Sequence, residues 1–338
     1  MTTEELSKLE RSLERGVFPL VATKDETIRP VGTAFCISKI GLLLTAEHNL
    51  RDALQYHDRG DVLRAMDRIP SGLDVRGLGL WVIWRQIEES TGRIILWPIE
   101  YMAGGPPTDL LFAFPQFQQE SPYQAFRLSF DIPRIGSKAR CVGYTAMKPR
   151  EFGIEEFRTN PQKYTHRFHF GDGAVKAIFL DGFAGKFIDG PCALVECDVP
   201  HGVSGGPVFN EAGDVWGIVS AGATNLVGYG ATVVSLLYPM LLSPIKIGAK
   251  IGPVTLTAEH PLASYIASGA ISTDGSEKGL NIHEIDGQAA VGPRVHREDV
   301  GNVFANFAAF LQRNPVEPFT GESLHLNLNS PKPNSADT

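Results

Sequence analysis

Residues 202–207 read GVSGGP, and the chain continues as VFNEAGDVWGIVSAG through residue 222. A serine hydroxyl is a poor nucleophile unless a neighbouring base removes its proton. Glycines beside it let the backbone bend until two N–H groups point at one spot and stabilise the oxyanion of a tetrahedral intermediate. The bare pattern is also typical of a glycine-rich turn, but the proline and the strand-like run after it make it more specific. We therefore interpret Ser204 as a candidate nucleophile, with the amides of Gly202 and Ser204 as the oxyanion hole.

Two upstream segments carry the other residue types that a serine nucleophile needs. Residues 31–50 read VGTAFCISKIGLLLTAEHNL and place His48 after an apolar run, while residues 108–113 read TDLLFA and place Asp109 before another. Together with the serine segment, these stretches resemble the histidine, aspartate and serine segments of trypsin-like, chymotrypsin-fold peptidases. The resemblance is to the bacterial branch that includes the high-temperature-requirement proteases, and the order along the chain is the order of that family.

The resemblance covers residues 17–240 and implies both a fold and a mechanism. The implied fold is all-β, with two antiparallel Greek-key β-barrels and short helices at the N-terminus and in a C-terminal extension. In the implied mechanism Ser204 attacks the peptide carbonyl, His48 takes its proton and passes it to the leaving amine, and Asp109 holds the imidazole tautomer. We therefore predict a serine endopeptidase that forms an acyl-enzyme on protein or peptide substrates and needs no cofactor.

The resemblance also implies where the substrate side chain binds. In the family, the residue six before the serine lies at the base of the primary specificity pocket, and by count it is Asp198. A carboxylate there would favour Lys or Arg at the cleaved position through a charge pair, although Glu196 stays open as the acid that matters. Backbone of the opposite wall would pair with the substrate as an added strand. The walls are expected from Ser220, Ala221, Gly222 and Gly230.

The composition of the 338-residue chain agrees with a fold of many short strands. Hydrophobic residues make up 43% of it, and its 35 glycines and 23 prolines are scattered between short apolar runs, which favours turns. About a dozen candidate strands and few helices precede residue 240. We predict an N-terminal helix over residues 1–16, a first barrel over 17–120, a second over 121–245, and an extension over 246–338 with one amphipathic helix and a disordered tail.

Charge, hydropathy and cysteine usage exclude several other classes of protein. The net charge of −7 disfavours a nucleic-acid binder, and no apolar run reaches the ~18 residues of a membrane helix. Residues 1–16 lack the apolar core of a signal peptide, which predicts a cytoplasmic protein. The cysteines lie in apolar runs whose spacings fit no zinc pattern, so we predict buried, reduced thiols and no metal site. They are Cys36, Cys141, Cys192 and Cys197.

Regulation is expected to differ from that of the digestive relatives. Those enzymes carry Asp directly before the serine, where a freed N-terminal amine pairs with it on activation, but this chain has Val203 there. We therefore predict an intracellular protease that carries out limited, regulatory proteolysis. Its control would lie in an insertion over residues 51–75 or in a regulatory partner bound through residues 246–338.

Two rival hypotheses use the same serine. The pentapeptide LTAEH occurs at residues 44–48 and 256–260, so an α/β-hydrolase-type esterase could pair Ser204 with His260 and an acid such as Asp214. Such an enzyme needs a helix after the serine, whereas strand-like residues follow here. His260 lies in a segment with few strand features, which indicates a surface or packing residue. The second rival is a protease-like module that only binds, or that stays latent until triggered.

Overall fold

Two antiparallel β-barrels form the body of the protein, which confirms the predicted fold class. This computed structural model describes residues 13–39, 41–59, 73–86, 93–104, 108–115, 124–145, 151–160, 167–180, 182–183, 188, 190–224, 229–251, 254–285 and 288–292. Most of the predicted N-terminal helix and all of the predicted amphipathic helix beyond residue 299 lie outside these ranges.

The first barrel takes its strands from the first third of the chain. They are β1 (Val17–Lys24), β2 (Thr27–Cys36), β3 (Leu43–Ala46), β4 (Leu73–Asp74), β5 (Leu80–Gln86), β6 (Arg93–Gly104) and β7 (Leu110–Pro115). The barrel closes in the order β1-β5-β6-β7-β3-β2 because β1 pairs with both β5 and β2, and the short β4 is added beside β6.

The second barrel follows with β8 (Lys138–Tyr144), β9 (Phe152–Gly153), β10 (Phe168–Phe179), β11 (Cys192–Val195), β12 (Pro207–Phe209), β13 (Val215–Gly222) and β14 (Thr232–Leu236). It closes in the order β10-β11-β14-β13-β12-β8, whereas β9 pairs with β2 of the first barrel. With the six strands of each barrel numbered in chain order, both barrels run first, second, third, sixth, fifth, fourth. The two barrels therefore share one topology.

Short helices and two hairpins complete the described part of the chain. The helices are α1 (Glu47–Tyr56), α2 (Ile154–Thr159) and α3 (Leu262–Ala267), with 3₁₀ turns at Arg76–Leu78, Tyr238–Leu242 and Ser276–Gly279. The hairpins pair β15 (Pro244–Ile251) with β16 (Val254–Pro261), and β17 (Asn281–Ile285) with β18 (Gln288–Gly292). None of the helices in these ranges is long and apolar enough to cross a membrane.

One hydrophobic core joins the two barrels. It contains Phe35, Leu44 and Phe112 from the first barrel together with Val142 and Val219 from the second, all completely buried. Burying a side chain of this size contributes roughly 1.5–3 kcal/mol, so the shared core holds the barrels against each other. The four cysteines are free and buried, as the apolar runs around them predicted.

The pairing of β3 with β7 brings two distant parts of the chain together. Both strands are short and their first four residues are buried, as expected for apolar runs inside a barrel wall. They are antiparallel, with Ala46 opposite Leu110. The residues that follow β3 therefore lie beside the residues that precede β7, and these are the segments of His48 and Asp109.

Two details of the strand prediction were wrong. The sequence alone predicts separate strands over residues 164–170 and 174–180, with glycines between them, but β10 runs on through Gly171 and Gly173. A side chain at either glycine would overlap the Cys197 thiol or the Glu196 carbonyl, so these glycines let the next strand pack closely and do not end β10.

The segment around His260 was also judged wrongly, because it lies in strand β16. Val254, Thr255 and Thr257 are β-branched residues, which favour a strand. His260 itself is exposed, and its ring contacts Tyr265 at 6.2 Å between centroids. Its interpretation as a surface residue agrees with this position.

A packing test of the second barrel compares two glycines of β13. A methyl group on Gly217 would meet a Val234 methyl at 2.5 Å and the Ser235 carbonyl oxygen at 2.8 Å. We expect Gly217→Ala to lower the free energy of unfolding by about 1–3 kcal/mol, as overpacking does, and to lower the melting temperature measured by circular dichroism.

The matched control for this variant is Gly222→Ala, at the end of the same strand. No atom lies within 4 Å of the added methyl group there, so its melting temperature should equal that of the wild type. Equal melting temperatures for both variants would contradict the close packing of β13 against β14.

Candidate active site

The Asp109 carboxylate anchors the start of helix α1. His48 is the second residue of this helix, and its backbone N–H donates to Oδ1 of Asp109 at 3.0 Å. The N–H of Glu47 donates to the Asp109 carbonyl oxygen at 3.2 Å. Ala46, which precedes the helix, has no side chain that can cap it, so Asp109 supplies the acceptor and the negative charge that a helix N-terminus prefers.

The same carboxylate also holds the imidazole ring of His48. Nδ1 of the ring lies 2.9 Å from Oδ2 and 3.0 Å from Oδ1 of Asp109. A carboxylate only accepts hydrogen bonds, so Nδ1 carries the proton and Nε2 has the free lone pair. The Asp109 side chain is 10% exposed and that of His48 is 34% exposed, which leaves the ring partly open to solvent.

The electrostatics of this pair favour a proton on the ring. Burial by itself lowers the pKa of His48, whereas the charge of Asp109 and the hydrogen bond that Asp109 accepts from the ring raise it. The carboxylates of Asp52 and Glu47 act in the same direction, and the resulting pKa lies above the ordinary value of a histidine. His48 is therefore a stronger base than an equally buried histidine without a neighbouring carboxylate would be.

The serine loop has a backbone that glycine alone adopts easily. Gly202 has φ of +98° and Gly205 has φ of +84°, both in the left-handed region. The N–H of Gly205 donates to the Val219 carbonyl at 2.7 Å, and the N–H of Gly206 donates to the Val203 carbonyl at 2.9 Å. Within the described ranges, no acceptor binds the N–H of Gly202 or of Ser204.

Residues with a side chain would not fit at two positions of this loop. A Cβ on Gly205 would overlap the Thr33 carbonyl oxygen, and a Cβ on Gly206 would overlap the Val142 carbonyl oxygen. Both obstacles are backbone atoms, which cannot move aside as a side chain can. The GVSGGP pattern therefore reflects close backbone packing as well as backbone conformation.

The pocket residues expected from the sequence have clear positions in the structure. Asp198 is exposed, its Oδ1 accepts from the Thr224 hydroxyl at 3.0 Å, and a Cβ on Gly230 would lie 3.2 Å from the Asp198 Cβ. Asp198 and Gly230 are therefore close together. Glu196, the alternative acid, forms a salt bridge with Lys176.

The opposite wall was expected to act through its backbone. Ser220 is buried, and its hydroxyl is hydrogen-bonded to Ser235 inside the barrel at 2.7 Å. Ala221 is half-buried and Gly222 is exposed at the end of β13. Only the last residues of this strand therefore present their backbone at the surface.

Neither the acid nor the segment after the serine has the arrangement that the rival esterase requires. Asp214 is buried in the turn between β12 and β13, and its carboxylate pairs with the Arg127 guanidinium. Its N–H donates to the Asn210 side chain at 2.9 Å, which is the ordinary bonding of a tight turn. The residues after Ser204 form strand β12, and no helix follows the serine directly.

Three buried polar residues beside the serine loop were not predicted. Thr33, Thr45 and Asn49 are completely buried. The Asn49 side-chain amide donates to the Ser204 carbonyl oxygen at 3.0 Å, so the residue after His48 lies within hydrogen-bonding distance of the serine. A polar side chain inside an apolar strand is the signal that could have pointed to Thr33, since buried polar groups are almost always hydrogen-bonded.

A double barrel that carries a His–Asp pair and a glycine-rich serine loop defines the class of serine peptidases with the trypsin-like fold. The trypsin-like peptidase domain family matches residues 32–218, which is more than half of the chain. The chain therefore belongs to this family.

The solved structures that resemble this chain include Deg5 and the Rv3671c protease. Deg5 has 14% identity, and the similarity covers 69% of this chain and 90% of that one with a TM-score of 0.42. The Rv3671c protease of M. tuberculosis in its active form has 13% identity, with 69% and 80% coverage and a TM-score of 0.42. Its inactive form has 14% identity, with 69% and 89% coverage and a TM-score of 0.41. A comparison with curated protein sequences gave no match.

The His48–Asp109 pair can be tested by titration. We expect Asp109→Asn to lower the pKa of His48, because the charge and the hydrogen bond that raise it are lost while burial, which lowers it, remains. The measurement is a pH titration of the His48 ring signals by NMR, with the signals assigned from a His48→Gln variant.

Asp52→Asn is the matched control for this titration. Asp52 is exposed and also raises the pKa of His48, but it contributes less than Asp109. Its substitution should lower the pKa by a smaller amount. An equal or larger effect of Asp52→Asn would contradict the direct contact between Asp109 and the ring.

Proposed function

We propose that the protein is a serine endopeptidase whose catalytic triad is Ser204, His48 and Asp109, with the N–H groups of Gly202 and Ser204 as its oxyanion hole. The observation that carries this proposal is the two-oxygen contact of Asp109 with Nδ1 of His48, which leaves Nε2 as a base. The hydrogen bond from Asn49 to the Ser204 carbonyl supports it, because it ties the histidine segment to the serine segment.

In the proposed reaction, each residue acts on a stated atom. Oγ of Ser204 forms a bond with the carbonyl carbon of the substrate while Nε2 of His48 takes the hydroxyl proton. The carbonyl oxygen becomes an oxyanion and accepts hydrogen bonds from the two free N–H groups. The C–N bond then breaks, His48 gives its proton to the leaving amine, and water hydrolyses the acyl-enzyme by the same steps.

Covalent labelling tests the nucleophile and the base. We expect a fluorophosphonate–rhodamine probe to label the wild type and not Ser204→Ala, because the serine oxygen replaces the fluoride on phosphorus. His48→Ala should slow labelling and the cleavage of a fluorogenic peptide substrate by about 10⁴-fold or more. Labelling is measured by in-gel fluorescence and cleavage by release of the fluorophore.

His260→Ala is the matched control, since it removes a histidine from an identical LTAEH pentapeptide. It should label and cleave like the wild type, because His260 is exposed and lies in another strand. Loss of labelling in this variant would favour the esterase alternative. Failure of the folded wild type to react would favour the module that only binds.

We propose further that Asp198 selects Lys or Arg at the cleaved position. Its exposed carboxylate lies beside Gly230, which has no side chain of its own, and Glu196 is already paired with Lys176. A charged substrate side chain that reaches Asp198 would gain a charge-assisted hydrogen bond.

Peptide substrates test this specificity. We expect Asp198→Asn to lower kcat/KM by about 10-fold or more for a fluorogenic peptide with Arg at the cleaved position, because the charge pair is lost. The same variant should leave a peptide with Leu there within about 3-fold. Glu196→Gln is the control and should change neither value, and the opposite ranking of the two variants would assign the pocket to Glu196.

We propose a regulated role in limited proteolysis, in the cytoplasm of a bacterial cell, with a partner that binds through residues 246–338. Buried reduced cysteines support a reducing compartment. The extension reaches both barrels, since Ile271 bridges to Ser38, just after β2, and Thr273 bridges to Leu128, which itself bridges to Val215 of β13. A partner bound to the extension could therefore influence both. Indiscriminate degradation of denatured casein by the purified protein would overturn the limited role.

A further inference from the structure

Three hydrogen bonds from the first barrel end on the main chain of the serine loop. The backbone N–H of Thr33 donates to the Ser204 carbonyl at 2.8 Å, and the side-chain amide of Asn49 donates to the same oxygen at 3.0 Å. The hydroxyl of Thr33 donates to the Gly202 carbonyl at 2.7 Å. Together these bonds cross the boundary between the two barrels.

The donors are themselves held in place by further hydrogen bonds. The Thr33 hydroxyl accepts from the Tyr144 N–H at 3.0 Å, which fixes the direction of its own proton toward Gly202. The Thr45 hydroxyl donates to the Thr33 carbonyl at 2.7 Å and accepts from the Asn49 amide at 3.0 Å. Thr33, Thr45 and Asn49, which we call the interbarrel clamp, therefore form one connected network without exposed surface.

The clamp acts on a special pair of residues. The carbonyl groups that it binds belong to Gly202 and Ser204, and these are the two residues whose N–H groups are left without an acceptor in the described ranges. The free N–H of each residue belongs to the peptide unit before it, whereas the held carbonyl belongs to the peptide unit after it. Holding the following unit fixes one flank of the residue, which leaves the preceding unit fewer ways to turn over and move its N–H out of the oxyanion hole.

We propose that Thr33 and Asn49 are positioning residues, whose side-chain hydrogen bonds to the carbonyls of Gly202 and Ser204 keep the oxyanion hole assembled. The inference rests on the proposed triad and oxyanion hole. It adds that the histidine-bearing barrel sets the geometry of the oxyanion hole on the other barrel. Neither side chain touches the substrate or the reacting atoms.

Close packing makes this arrangement specific. A Cβ on Gly32 would overlap the Asn49 amide, and a Cβ on Gly205 would overlap the carbonyl of Thr33 and the hydroxyl of Thr45. The clamp thus fits into space that two glycines leave open. Loss of the Thr33 hydroxyl would remove one hydrogen bond from the Tyr144 N–H and one from the Gly202 carbonyl, beside a side chain that is completely buried.

The decisive experiment separates binding from chemistry in covalent labelling. Full-length Thr33→Val keeps the branched shape and removes only the hydroxyl. Direct loss of an oxyanion donor lowers rates about 10²–10³-fold, so we expect the indirect change to lower the maximal inactivation rate by the fluorophosphonate probe about 10-fold. The probe concentration for half-maximal rate should stay within about 2-fold, because the binding surface is unchanged.

Two variants provide the rescue and the control. Thr33→Ser restores the hydroxyl and should recover the rate to within about 3-fold of the wild type. Thr23→Val makes the same change in the first barrel, where the hydroxyl donates to the Gly79 carbonyl at 3.2 Å and accepts from the Trp81 indole at 3.0 Å. It should label at the wild-type rate.

A second variant keeps the test decisive if Thr33→Val folds poorly. Asn49→Leu removes the other side-chain donor with a similar shape, and we expect a lower maximal rate at unchanged half-maximal concentration. Rates are divided by the folded fraction from circular dichroism. The proposal is overturned if both variants label like the wild type, or if the loss follows unfolding alone. Failure of the folded wild type to react at Ser204 would refute the triad itself and is a separate result.

Discussion

The carboxylate of Asp109 is the group on which the site depends. One of its oxygens accepts both the backbone N–H and the ring Nδ1 of His48, while the other oxygen accepts from the ring alone. The start of helix α1 and the orientation of the imidazole are therefore fixed by one side chain. That side chain is available only because β3 pairs with β7, so that the end of one strand meets the beginning of the other.

The same arrangement resolves a conflict between burial and charge. A histidine that acts as a base in an active site is partly buried, yet burial disfavours the imidazolium that forms when the ring takes a proton. Asp109 offsets this effect and raises the pKa of His48 above its ordinary value. Glu47 shows the contrast, because burial raises the pKa of its carboxyl group although Arg51 lies beside it.

Sequence reasoning succeeded where the signal was local. The apolar runs before His48 and after Asp109 predicted β3 and β7, and the turn-rich run after Ser204 predicted β12 and β13. It divided β10 into two strands because glycines such as Gly171 and Gly173 usually interrupt a strand. Here they make room for the neighbouring chain segment at Glu196 and Cys197. It also gave little weight to β16, since one strand of a peripheral hairpin needs no long apolar pattern.

The interbarrel clamp could not be predicted in the same way. Thr33 and Gly202 are 169 residues apart in the chain, and Asn49 and Ser204 are 155 residues apart. The sequence around one partner therefore does not indicate the other. Only the finished fold shows why these side chains are polar. A threonine in a buried strand is otherwise unremarkable, because β-branched residues are common in strands.

The glycines and the clamp act on the same loop in complementary ways. Positive φ at Gly202 and Gly205 makes the loop conformation accessible, but glycine also makes many other conformations accessible. A flexible loop would have to lose that freedom each time it stabilises an oxyanion, and preorganised donors avoid this loss. In the proposed oxyanion hole, hydrogen bonds from the other barrel remove that freedom in advance. Under this proposal the glycines alone are insufficient for an ordered oxyanion hole, and the contact between the two barrels supplies the missing constraint.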